Sequence, residues 1–115
     1  MTTEAKTNVL YALDPDCELP PRLLQLFLRS APGQLQALLD ACASREVEDA
    51  RAQAHKLKGG LYAAGASRLA ARVEALRTSL ATSDWPAAEA DLSGIRDDFQ
   101  SLLAELTRQL ERGGA

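Results

Sequence analysis

The sequence predicts an all-α protein, an antiparallel four-helix bundle with a short extra N-terminal helix or turn. Three observations point there. Apolar residues recur at alternating steps of three and four along four separate stretches, the period of a helix that buries one side. No stretch sustains two-residue alternation, so no strand is expected. Aromatics make up 4% of the chain and hydrophobic residues 46%, so aliphatics and alanine dominate, which suits closely packed helices. With 115 residues the chain can build one core and not two. The organisation read from this is an N-terminal segment, 1–19, partly mobile, followed by the bundle over 20–112.

In chain order, Val9, Leu10 and Leu13 form one face of a short helical turn that Asp14-Pro15-Asp16 interrupts. A first long helix starts at Pro20-Pro21, proline being tolerated in the first turn. Leu23, Leu24, Phe27, Leu28, Leu35, Leu38, Leu39 and Cys42 carry its apolar face through Ser44. Pro32 falls inside this run and bends or splits it. The second helix begins over Arg45 to Asp49, where Glu46, Glu48 and Asp49 suit the positive end of the helix dipole. Its stripe is Val47, Ala50, Ala54, Leu57, Leu61 and Ala64, and Gly65 is a natural stop. Ser67 is the expected cap of the third helix, which offers Leu69, Val73, Leu76 and Leu80 to the core and ends near Ala81 to Ser83. Asp84 caps the last helix, with Trp85 and Pro86 in its first turn. Leu92, Ile95, Phe99, Leu102, Leu103, Leu106 and Leu110 give the cleanest stripe in the chain, stopping at Gly113-Gly114. Four helices joined by short turns bury these stripes as antiparallel neighbours.

Composition removes several function classes. A net charge of -3 gives no support for a nucleic-acid binder, which would show a basic surplus. Two cysteines, Cys17 and Cys42, lack metal-ligand spacing and imply no disulfide framework. Cys42 lies on an apolar face, as a small core residue. Asp14, Asp16 and Glu18 lack the rest of a calcium loop. No apolar run approaches the roughly 18 residues of a membrane span and no signal-peptide pattern follows Met1, so the expected location is the cytoplasm.

The informative stretch is Ala54-His55-Lys56-Leu57-Lys58-Gly59-Gly60-Leu61-Tyr62-Ala63-Ala64-Gly65-Ala66. It holds the chain's single histidine. Residues three and four apart on a helix are surface neighbours, so His55, Lys58 and Gly59 are expected to form one patch. At about 100° per residue, His55 and Gly59 fall away from the centre of the apolar stripe and face water, while Lys58 lies nearer its edge. Each glycine inside a helix costs roughly 1 kcal/mol relative to alanine. A local rule broken where the pattern is otherwise strong usually serves a site, and here the missing side chains leave a flat area where another molecule can approach the histidine.

This stretch resembles the signature of histidine-containing phosphotransfer (HPt) domains, A-H-x-L-K-G followed by small residues and a second glycine six positions on. Ala54, His55, Leu57, Lys58, Gly59 and Gly65 stand in that register, and the similarity extends to Phe27, Pro32, Leu69, Leu76 and the final amphipathic helix, covering the chain from about Pro20. The resemblance implies a phosphoprotein of two-component signalling, in which Nε2 of His55 takes a phosphoryl group from an aspartate of one receiver domain and passes it to another. The partners implied are receiver domains of hybrid histidine kinases and of response regulators. It also implies one bent first helix, since the family commonly carries a proline there, and a short N-terminal helix beside the histidine. Where Gly60 stands the family more often has serine, so this chain lacks that hydroxyl.

The chemistry agrees with the residue types. Imidazole keeps a large neutral fraction near pH 7 and forms covalent intermediates. Phosphoryl transfer is catalysed mainly by positioning and charge stabilisation, the role read for Lys58. Two unit charges about 4 Å apart are worth about 1 kcal/mol in water and about 4 kcal/mol at an effective dielectric near 20, so Lys58 should count for more once a partner excludes solvent. Lys56, Gly59, Gly60 and Tyr62 are the candidate partner-binding residues, with Arg68 and Arg72 as further basic rim. For Tyr62 core packing is the equal alternative, and for Lys56, Arg68 and Arg72 it is plain solvation. There is no glycine-rich phosphate loop or nucleotide pattern, and Lys56 occupies the place where most sensor-kinase dimerisation domains carry an acidic residue. The chain therefore reads as a phosphoryl carrier without its own ATP-dependent kinase activity. It is expected to be monomeric and to bind no cofactor or metal, magnesium belonging to the receiver's acidic pocket. The rival reading is a non-catalytic helical adaptor that binds and titrates a receiver or a histidine kinase.

Overall fold

The computed structural model describes residues 19–114. The expected N-terminal helix or turn, Cys17 and the acidic trio Asp14, Asp16 and Glu18 lie outside the described residues. Four helices make up the rest: α1 (Pro21–Ala43), α2 (Val47–Ala63), α3 (Ser67–Ala81) and α4 (Trp85–Gly114). Each packs on its neighbour in chain order and α1 closes the ring on α4, whereas the diagonal pairs make no close Cα approach among the described residues. This is the bundle that the four apolar stripes predict.

α1 runs unbroken through Pro32, with Pro20 as its N-cap. The split alternative is thereby excluded. All three connections are three residues long, and all close in the same way. The N–H groups of Arg45 and Glu46 donate to the carbonyls of Cys42 and Ala41, those of Gly65 and Ala66 to Tyr62 and Leu61, and those of Ser83 and Asp84 to Leu80 and Ser79. These are paired bonds of the Schellman type, which require a left-handed residue just past the helix. Gly65 supplies it at φ 80°, but Arg45 (58°) and Ser83 (55°) adopt it without being glycine. Arg45 thus belongs to the turn and not to the start of α2, whose N-cap is Glu46.

Asp84 caps α4 as expected, its Oδ1 accepting from the Ala87 N–H at 3.2 Å. Ser67 does not cap α3: it is the first helical residue, and the N-cap is Ala66, which has no side-chain cap. The Schellman bond that Ala66 donates to Leu61 fixes the turn one residue earlier than serine's capping preference suggests.

The core contains Leu57 and Leu61 of α2, Leu69, Val73, Leu76 and Leu80 of α3, and Ile95, Phe99, Leu102 and Leu106 of α4. The rings of Phe27 and Phe99 meet at 6.5 Å across the α1–α4 seam. Cys42 is buried, as expected of a small core residue, and burial pushes its thiol up despite the nearby Arg45 charge. Leu23 departs from the predicted core: it is 50% exposed, because α1 rotates Leu24, Phe27 and Ala31 inward instead. No polar or charged residue among the described ones is fully buried, and the ion pairs at the seams range from exposed to part-buried. Arg45 joins Glu89 at 2.9 Å and lies 4.4 Å over the Trp85 ring. Arg72 reaches Asp98 at 3.1 Å, passing over Gly94, where a Cβ would come within 2.9 Å of its guanidinium.

Candidate functional site

His55 lies in the third turn of α2, with Ala54 and Leu57 on either side of it in the core. Burying those two residues turns the imidazole outward, and His55 is exposed. Among the described residues it has no hydrogen bond or ion pair. Its nearest neighbours along the helix face are Arg51, four residues before, and Lys58 and Gly59, three and four after. Arg51 and Lys56 are exposed, and neither forms a salt bridge with a described acid. The sequence reading did not single out Arg51, although its i, i+4 spacing to His55 was there to find.

Lys58 is placed differently. Its side chain is only 22% exposed and its Nζ lies 2.9 Å from Oε1 of Glu74 on α3. Arg77 donates to the same oxygen through Nη1, also at 2.9 Å. Hydrogen bonds from Lys58 and Arg77 hold the Glu74 carboxyl below the usual carboxylate range. Nε of Arg77 is buried without a hydrogen-bond partner. The open face is therefore His55 with Gly59, and the Lys58 ammonium stands at its α3 edge, tied to a carboxylate.

The two glycines differ. A Cβ on Gly59 would meet nothing within 4 Å among the described residues, so the bundle they form has no need of glycine there. A Cβ on Gly60 would touch Oε1 of Gln34 at 3.5 Å, ordinary contact that a serine could also make. Tyr62 is 52% exposed, which removes the core-packing alternative. Beside Gly60 a shallow groove of about 180 Å³ runs along the α1–α2 seam, lined by Leu19, Leu23, Leu26, Phe27, Ser30, Gly60, Ala63 and Ala64. The exposed Leu23 and Leu26 on its wall were not read from sequence as surface residues; the i, i+3 pair on the outer side of α1 was the available signal. Arg68 is exposed on α3, and Arg72 is engaged by Asp98. No group of three or more metal-ligating side chains occurs among the described residues, and no helix among them is long and apolar enough to cross a membrane.

This arrangement offers a solvent-facing imidazole with bare backbone one turn away, cations on both sides and an apolar groove alongside. No curated protein and no solved structure matches the chain. A family model described as Hpt domain matches residues 22–113, which span all four helices. Bundle, exposed histidine and family match converge, and the chain belongs to the Hpt domain family, whose role is phosphotransfer in phosphorelay signalling.

Proposed function

We propose that this protein is a phosphoryl carrier in which His55 receives a phosphoryl group from an aspartate of one receiver domain and delivers it to an aspartate of another. The observation that carries the reading is the exposure of His55 beside a glycine that the fold itself does not require. Nε2 of the neutral ring attacks phosphorus and an N–P bond forms. The P–O bond of the aspartyl phosphate breaks, and the receiver's carboxylate leaves with the bonding pair. The ring carries the resulting positive charge until Nδ1 releases its proton to solvent. The onward step reverses these roles.

Arg51, Lys56 and Lys58 supply positive charge to the phosphoryl oxygens, and solvent exclusion on docking strengthens it. Gly59 and Gly60 let the receiver's backbone come close, while Tyr62 and the Leu23–Leu26 groove give it apolar surface to cover. In this reading the magnesium that the transfer needs belongs to the receiver. One bundle suffices, so the carrier acts as a monomer in the cytoplasm.

Incubation with a phosphorylated receiver is expected to leave acid-labile, base-stable label on this chain. A His55→Gln variant that still accepts label would refute the assignment. The adaptor reading predicts the opposite pattern in the cell: full signalling from His55→Ala and none from Gly59→Trp.

A further inference from the structure

Lys58 and Glu74 come from different helices, and their contact has a consequence for the reaction. The side chain of Lys58 is largely buried, and its ammonium sits 2.9 Å from Glu74 Oε1. While it stays there, the carboxylate largely cancels the charge that His55 would feel one turn away. We propose that Glu74 is a positioning residue that competes with the phosphoryl group for Lys58 and so restrains formation of phosphohistidine at His55. This rests on His55 being the phosphoacceptor.

The geometry explains why such a contact can give way. Oε1 of Glu74 is shared by Lys58 and Arg77, each at 2.9 Å. When the ammonium swings to the phosphoryl oxygens, Arg77 keeps the carboxylate paired, and no charge is left alone. Lysine suits the movement, being a compact cation on a flexible four-carbon stem. Glu74 is about half exposed, so the contact is of the modest, solvent-screened kind, strong enough to bias the ammonium and weak enough to yield to a phosphoryl dianion. When the phosphoryl group departs, the carboxylate takes the ammonium back.

The test uses the full chain and phosphoramidate, a small donor that transfers its phosphoryl group to imidazole and releases ammonia. Rates of His55 phosphorylation are followed by the phosphohistidine 31P resonance in wild type, E74Q, K58M and the double variant. E74Q is expected to react about threefold to fivefold faster, K58M more slowly, and the double variant at the K58M rate, since Glu74 acts through Lys58. An unchanged or slower E74Q, or an acceleration that persists without Lys58, overturns the proposal. Wild type that takes label while E74Q fails to respond overturns this proposal alone. Wild type that takes no label overturns the phosphotransfer reading and this proposal with it.

Discussion

Gly59 shows how a single residue can reveal a demand from outside the fold. A Cβ there would meet no described residue, and the helix would gain from it. Gly59→Ala is expected to raise stability by about 1 kcal/mol in urea unfolding, and a bulkier Gly59→Trp to fold normally while losing most transfer from a phosphorylated receiver. If Gly59→Trp transfers as well as wild type, access across this face is not what the glycine serves. Gly60 is the contrasting case: its Cβ would rest against Gln34, so Gly60→Ser is expected to fold and transfer at least as well as the parent. His55 and the glycines were legible in sequence because helical projection depends only on local spacing. The state of Lys58 was not, because the carboxylate that holds it comes from Glu74, 16 positions later on another helix. Projection gave the edge position of Lys58 correctly but could not name what stood across the seam.

The helices were legible as elements for the same reason that their turns were not. Stripes of leucine and alanine are periodic, and those of α2, α3 and α4 were read nearly residue for residue. Gly65 announced its turn, since glycine takes a positive φ freely. Arg45 and Ser83 occupy the equivalent place with no local signal, because the two paired turn bonds and the packing that follows them outweigh the left-handed penalty of roughly 1–2 kcal/mol. Ser83→Gly is therefore expected to stabilise the bundle by about 1 kcal/mol and Gly65→Ala to destabilise it by a similar amount, both read from thermal unfolding. Arg45→Gly should gain less than Ser83→Gly, since it also loses the Glu89 pair and the Trp85 ring contact. Within α2, Leu57→Ala removes a fully buried side chain two residues from His55 and should cost about 2–5 kcal/mol. That loss would test whether the histidine's helix depends on the shared core.

For the molecule as a whole, stability should depend on pH from both sides. Hydrogen bonds from Lys58 and Arg77 lower the Glu74 carboxyl. Around Glu105 burial pushes the carboxyl up, but hydrogen bonds from Arg108 and Gln109, with the charges of Arg108 and Arg112, outweigh it and leave it lowered. A carboxyl lowered on folding stabilises the protein above its unfolded value, about 4.3 for glutamate, and that contribution is lost as pH falls through the folded value. Cys42 works in the other direction. Burial raises its thiol, so its contribution is complete below the unfolded value, about 8.5, and is lost as pH rises toward the folded one. Urea midpoints are thus expected to hold level from about pH 5 to about pH 8 and to fall on either side. Glu105→Gln should lower the plateau and flatten the acid limb, and Cys42→Ala should flatten the alkaline limb while lowering the plateau for lost packing. The two acid-sensitive groups are not equivalent: the Glu74 contact joins α2 to α3, whereas all the partners of Glu105 lie within α4. Protonating Glu74 therefore releases Lys58 as well as loosening a seam. Once pH falls through the lowered folded value of Glu74 the ammonium should be free of its carboxylate, and amide exchange along the facing turns of α2 and α3 should quicken there before exchange in the middle of α4. Uniform quickening across all four helices would mean that the seam contact contributes nothing of its own to local order.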